Sequence, residues 1–272
     1  MLWDPHSPQS SPLRCHCKMI VAKRILDGAK VLASEEQRGS GPWCCPECSA
    51  QVSLKKGDIK IHHFAHHPPF SCEYGSGESE EHSWCKTSIY ETMRRMPNAS
   101  KWELERSLGS VRPDVSGYIG NTPVAIEVQA SSLGLERIAH RTREYATKGV
   151  FVLWLAMYRE GMLEERFSPS VWEKWLHALY FGRVYYWLEK DFVGPVHFDD
   201  HLLYVEEKTW MESGVTNYGG GYHRRSKRFR KANPGKTISI TEMNGVSRTE
   251  WSGGGYNIPT SKLWMDQLTK WW

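Results

Sequence analysis

Two groups of residues in this chain have the types and spacing that chemistry needs. The first joins Cys45-Pro46-Glu47-Cys48 to His63-Phe64-Ala65-His66, with fourteen residues between the pairs. Two thiolates and two imidazoles can close a tetrahedral Zn²⁺ site. Four protein ligands leave no open position, so such a zinc would be structural and would supply folding energy to a region with little core of its own. Cys72 is the alternate ligand for one histidine, His62 or His67 can shift into register, and Cys44 is the expected bystander. All seven cysteines, Cys15, Cys17, Cys44, Cys45, Cys48, Cys72 and Cys85, fall in the first 85 residues. An odd count with no apolar leader argues against a disulfide framework. Cys15 and Cys17 lie in a Pro/Ser-rich leader and carry no assigned role.

The second group is acidic. Asp114 and Glu127 are separated by 12 residues on what read as neighbouring strands, and a turn near Gly117–Asn121 would bring them together. Paired carboxylates suit Mg²⁺ or Mn²⁺, the metals of phosphodiester hydrolysis, and Glu81 is a third acid that could complete the site. The plainer reading stays open: Asp114 caps the turn after Pro113, and Glu127 lies in solvent at a strand edge.

The elements that must position these groups follow from periodicity. Residues 79–96 read as a helix with Ser79 as N-cap and Glu80 and Glu81 in its first turn. Cys85, Ile89, Met93 and Met96 form its apolar stripe, and Lys86 lies four residues after His82. Alternation predicts strands over Lys101–Leu108, from Arg112, and over Pro123–Gln129. In the last of these Val124, Ile126 and Val128 share one face, while Ala125, Glu127 and Gln129 share the other. A helix follows over about 133–148, then a fully apolar strand, Val150–Leu155. That strand should lie parallel to the one before the crossover helix. The knuckle implies a hairpin over Gln51–His62 with its turn at Gly57.

Beyond this, Val171–Leu179 reads as a helix whose Trp172 and Trp175 are core. Arg183–Leu188 and Val193–Phe198 read as strands. From 208 the glycines and a basic run predict a mobile segment with one strand near Thr237–Thr241, and Leu263-Trp264 and Trp271-Trp272 are apolar enough to dock on the body or on a partner. Residues 1–200 hold 24 Lys/Arg against 25 Asp/Glu, whereas 201–272 hold 11 against 6. The excess is one run, Arg224, Arg225, Lys227, Arg228, Arg230 and Lys231, able to neutralise phosphates. An apolar share of 40% and a charged share of 24% exclude wholesale disorder. No run approaches the roughly 20 apolar residues of a membrane helix, and the expectation is a cytoplasmic protein with no membrane partner.

Taken together, Cys45-Pro-Glu-Cys48, His63-Phe-Ala-His66, Glu78–His82 with Lys86, Arg112-Pro-Asp114, Ile126-Glu-Val-Gln129, Arg141-Thr-Arg-Glu-Tyr145 and Pro195–Phe198 resemble the competence protein CoiA-like family, whose nuclease domain belongs to the PD-(D/E)XK superfamily. The likeness runs from about residue 19 to 200. It implies an α/β protein: a zinc-binding β module (19–75) after a leader (1–18), a restriction-endonuclease-like α-β-β-β-α-β core (76–160), an accessory α+β segment (161–207) and a flexible basic tail (208–272). It implies metal-dependent cleavage of DNA in DNA processing or recombination. Asp114 and Glu127 take the places of the metal ligands, with the Val128 carbonyl a further one. Glu81 and His82 match the first-helix contribution, and Tyr145 matches an aromatic beside the site. The superfamily's usual lysine is here Gln129, which donates a hydrogen bond but no charge and leaves the charge role to Lys86 or His82. Lys86, Tyr145 and the basic run are the expected DNA contacts. Two rival readings stand: a non-catalytic, zinc-stabilised DNA-binding recombination accessory, and an interaction protein whose Trp-containing tail engages a recombination protein such as a recombinase, or a phage or host factor.

Overall fold

The computed structural model describes residues 18–58, 60–67, 72, 74, 78–129, 134–267, 269 and 270. Cys15, Cys17, Leu133, Trp271 and Trp272 lie outside them. The chain forms two compact units, Met1–Trp84 and Cys85–Trp272, where the sequence predicts divisions near 75, 160 and 207.

Five short antiparallel strands build the first unit: β1 (Val21–Arg24), β2 (Lys30–Leu32), β3 (Trp43–Cys44), β4 (Gln51–Lys55) and β5 (His63–His66), ordered β2-β1-β3-β4-β5. Its core is small, made of Met19, Ala22, Val31, Ala33, Trp43, Cys45, Val52 and Phe64, with Trp43 and Phe64 tilted against each other at 5.5 Å. β4 pairs with β5 from Val52↔His66 to Lys55↔His63. The returning strand therefore carries the histidine pair itself, and not the Asp58–His62 stretch.

Helix α1 (Glu80–Met93) leads into the second unit. The Ser79 hydroxyl accepts the His82 N–H at 3.1 Å, the N-cap the sequence predicts. Cys85, Ile89 and Met93 are fully buried, as a four-residue spacing on one helical face requires. Next come β6 (Ala99–Leu104), β7 (Val115–Ile119), β8 (Thr122–Gln129), α2 (Leu135–Thr147) and β9 (Phe151–Met157). β7 and β8 form a hairpin from Ile119↔Thr122 to Val115↔Ile126, and β8 and β9 run parallel, as a helical crossover demands. Gly117 on β7 makes room for Trp102, whose indole would lie only 2.5 Å from any Cβ there.

Helix α3 (Val171–Leu179) starts at a capping box between Ser170 and Glu173, and it buries Trp172, Trp175, Leu176 and Leu179 as core. The chain continues through β10 (Val184–Glu189) and β11 (Phe192–Val205) into a hairpin of β12 (Lys208–Glu212) and β13 (Val215–Gly219), then β14 (Tyr222–Pro234). After β15 (Ile238–Ser239) and one 3-10 turn come β16 (Asn244–Arg248), β17 (Trp251–Gly253), β18 (Tyr256–Ile258) and β19 (Ser261–Met265). The main sheet runs β14-β11-β10-β9-β8-β7-β6, with β15 beside β11, and with β19 joining β16 to β9.

The region beyond 207 departs from expectation. The basic run is strand β14, paired along β11, so the backbone donors and acceptors of a glycine-punctuated, charged segment are met by a neighbour. Thr237–Thr241 is a two-residue strand and a 3-10 turn, not one strand. Leu263 and Trp264 are buried in the chain's own sheet, which is the expected docking on the body and not on a partner. Among the described residues no helix is long and apolar enough to cross a membrane.

Candidate metal centres and nucleic-acid interface

The knuckle is built by a tight turn. Cys45 N–H donates to the Ala50 carbonyl at 2.8 Å and Ser49 N–H to the Cys45 carbonyl at 3.1 Å. This fold-back brings Cys48 beside Cys45, and the β4–β5 pairing then delivers His66. One ligand atom from each of Cys45, Cys48, His66 and Cys72 lies within 4.8 Å of all the others. The Cys48 sulfur is 3.2 Å from His66 Nε2. Backbone N–H groups of Glu47 and Tyr74 point at the sulfurs of Cys45 and Cys72, each at 3.4 Å. Burial pushes the Cys45 thiol up to about 12 and raises Cys72, while at Cys48 burial is outweighed by the Ala50 amide and the neighbouring cysteines, which lower it. Burial also lowers His66, favouring the neutral imidazole that ligates metal.

The donor set therefore fits a soft-tolerant tetrahedral cation, whose ligands at ~2.3 Å would be about 3.8 Å apart. It is three sulfurs and one nitrogen, not two and two. His63, the expected fourth ligand, instead turns Nδ1 to the Ile61 carbonyl at 2.9 Å, and Cys72 stands in the cluster in its place. The reason is strand geometry: residues three apart on a strand point to opposite faces, so only His66 of the HxxH pair faces the cysteines. Cys44 is outside the cluster.

In the second unit, the β7–β8 register carried one step past Val115↔Ile126 sets Asp114 level with Glu127. Asp114 Oδ2 accepts the Val128 N–H at 2.8 Å, and the Glu105 N–H donates to the Asp114 carbonyl at 2.9 Å. Glu127 is 2% exposed, not the solvent-facing strand-edge residue of the plainer reading. Its Oε1 accepts from both Arg141 Nη2 and the Tyr145 hydroxyl. Arg141 also donates to the Arg112 carbonyl at 2.7 Å. Burial pushes the Glu127 carboxyl up to about 7, opposed by the Arg141 charge and reinforced by Asp114. Arg141 stays cationic: the Glu127 charge raises it despite burial. Gln129 is buried at the end of β8.

Helix α1 supplies further groups. His82 Nδ1 lies 3.8 Å from the Glu78 carboxylate one turn earlier, whereas Glu81 is exposed. Burial, and then the Asp114 charge, raises the Cys85 thiol. Lys86 is wholly buried, with its ammonium 2.5 Å from Glu105. Tyr145 is equally buried. Neither meets a nucleic-acid strand at the surface; both are internal, Lys86 as a counter-ion and Tyr145 as a donor to Glu127. The roles of Glu105 and Arg141 were not legible, although Arg141 and Tyr145 share a helical face at the i, i+4 spacing.

The basic strand has a bulge. Its register with β11 jumps between Leu202↔Arg225 and Asp200↔Arg230, which throws Lys227 and Arg228 outward and exposed. Arg228 and Arg166 both lie over the Phe229 ring, at 5.2 and 5.4 Å. Arg225 reaches Asp200 at 2.9 Å, and Arg230 is drawn inward onto the Ser226 and Phe229 carbonyls at 2.7 Å. Arg224 and Lys231 are exposed.

Comparison with known proteins bears on both units. Residues 27–75 match the family model described as competence protein CoiA, N-terminal domain, and residues 78–173 match competence protein CoiA, nuclease-like domain. This chain belongs to the CoiA-like family. Competence protein CoiA of Bacillus subtilis (strain 168) is 27% identical over 115 residues, 42% of this chain and 31% of that protein. The match thus spans about a third of that relative's length. No solved structure matches. The nuclease-like match ends within α3, so most of the sheet from β10 onward lies outside it.

Proposed function

We propose that this chain is a divalent-metal-dependent deoxyribonuclease with a zinc-stapled N-terminal module, acting in DNA processing such as that of competence. The observation that carries the reading is the placement of Asp114. Its carboxylate is fixed on the Val128 amide at the mouth of the β7–β8 hairpin, level with Glu127, inside the stretch that matches a nuclease-like domain. Asp114, Glu127 and the Val128 carbonyl would hold Mg²⁺ or Mn²⁺, oxygen donors of the kind these ions take. Such an ion polarises the scissile phosphoryl oxygen and lowers the pKa of a bound water.

The chain's own groups do the rest. The Val128 amide keeps Asp114 aimed. Arg141 and Tyr145 both donate to one Glu127 oxygen, Oε1, and hold it in place. Gln129 would orient without charge, and the charge role of the superfamily lysine would fall to His82 or to Lys86, whose ammonium is paired with Glu105. By resemblance, Glu81 and His82 at the start of α1 would be the first-helix contribution. Lys227, Arg228 and Arg224 on β14 would bind DNA phosphates.

Purified full-length protein, supercoiled plasmid and Mg²⁺ or Mn²⁺ test the reading. Nicking by wild type that is lost in Asp114→Ala supports it. Equal, background-level cleavage by both proteins across metals and substrates sinks it. A second reading, a DNA-binding recombination accessory without catalysis, draws on the same geometry: Arg141 already neutralises Glu127, a cation where a cation should bind. DNA binding with no cleavage would favour it.

A further inference from the structure

A groove of about 290 Å³ lies in the second unit, where the last turn of α2 meets β16 and β19. None of its lining residues takes part in the nuclease reading. Three of the nine are cations, Arg143, Arg248 and Lys262; five carry hydroxyls, Thr147, Ser247 and Thr260 among them; none is a carboxylate. Glu144, next along α2, is engaged elsewhere, accepting from the Ser110 hydroxyl and lying 4.0 Å from Lys148.

Arg248 is held in place before any ligand arrives. Its Nη1 donates to the Ala178 and Leu179 carbonyls, both at 2.5 Å, and its guanidinium lies 4.3 Å from the centre of the Phe181 ring. Lys262 rests over Phe151 at 4.8 Å. The simplest alternative is that these cations only answer helix dipoles, since Arg248 caps α3 and Ala146 and Thr147 end α2. Two helix C-termini bring roughly −0.5 charge each. That is about one negative charge against three positive ones. Thr147 and Ser261 spend their hydroxyl protons on the Glu144 and Pro259 carbonyls, but the surplus charge, in a concave site that also has Ser247, Thr249 and Thr260 on its rim, is the pattern that receives an anion.

We propose that this groove is a phosphate-group site, with Arg143 and Lys262 closing on the phosphate beside the fixed Arg248. A DNA backbone phosphodiester and a terminal or free phosphate monoester share this chemistry. The variant is Arg143→Gln with Lys262→Gln; Arg248 is left intact because it caps α3. The full chain as purified, with no chelator and no added divalent metal, is titrated calorimetrically with inorganic phosphate, dTMP, thymidine and a 5′-hydroxyl oligo-dT, and circular dichroism checks that the variant is folded.

The expected result is binding of at least one phosphate-bearing probe that the double substitution weakens about tenfold or more, with no thymidine binding. Weakening confined to oligo-dT assigns the site to a DNA backbone, and weakening of phosphate and dTMP assigns it to a monoester. Affinities within twofold of wild type for every probe, or no phosphate-dependent binding at all, overturn the proposal. The measurement is made without added Mg²⁺ or Mn²⁺ and without cleavage, so its outcome is separate from that of the nuclease test.

Discussion

The two candidate metal centres differ in what holds them together. In the N-terminal unit three sulfurs and an imidazole converge with a small apolar framework behind them: among the described residues the buried cluster holds eight, and one of the eight, Cys45, is itself a candidate ligand. In the C-terminal unit Asp114 stands just before β7 and Glu127 on β8, both inner strands of a ten-stranded sheet, and their neighbours satisfy them by hydrogen bonds and an ion pair. Small units lack buried area and need a staple; a large sheet does not. Metal should therefore be part of the fold in the first unit and part of the chemistry in the second.

The sharpest way to break that contrast is metal removal. Chelation, or Cys48→Ser, should unfold the N-terminal unit, since structural zinc contributes about 10–16 kcal/mol in small domains, while the C-terminal unit keeps its protection. Hydrogen exchange together with zinc analysis reads both; equal loss of protection in the two units would erase the distinction. Asp114→Ala should do the opposite, lowering plasmid nicking by about a hundredfold or more, the scale of losing a principal electrostatic contributor, with the thermal midpoint little changed.

Arg141→Gln leaves the buried Glu127 carboxylate without its cation and should cost about 3 kcal/mol of stability in urea unfolding. Adding Glu127→Gln should recover part of it. If the single and double variants are equally destabilised, the pair is not the unit that matters.

A smaller effect concerns acid. His177 packs with His197, its Nε2 accepting the Phe198 N–H at 3.0 Å, and burial first, then the His197 charge, lowers its pKa to about 3. The unfolded chain takes up a proton near pH 6.5 that the fold refuses. Stability is therefore full above pH 6.5 and falls as pH drops toward 3, by up to ~1.4 kcal/mol per unit. His177→Gln, which keeps an acceptor, should flatten that slope between pH 6.5 and 4.5 relative to wild type. The least drastic prediction is Lys227→Gln with Arg228→Gln. The log–log salt dependence of DNA binding should lose about 2 in slope if both side chains meet phosphates; an unchanged slope removes the bulge from the interface.

Much of this was legible from the chain alone. Four-residue spacing fixed the buried stripe of α1 and Ser79 its start, because those depend on contacts within one turn. Alternation along β8 separated Glu127 and Gln129 from the aliphatic face, and the apolar run of β9 marked it as central. The CxxC knuckle was equally plain, since a tight turn brings its two sulfurs together.

What the sequence could not decide was set by partners distant along the chain. HxxH reads as a ligand pair only until the residues lie on a strand, where alternation turns His63 away and leaves the place to Cys72. Lys86 and Tyr145 looked like surface contacts, yet they are buried because Glu105 and Glu127, 19 and 18 residues away, meet their polar ends. The basic run looked mobile because charge and glycine are local signals, whereas its pairing with β11 is not. Local spacing specifies turns, caps and faces; which face is buried, and which charge meets which, is settled only when remote strands and helices close on one another and each buried polar group must find its partner.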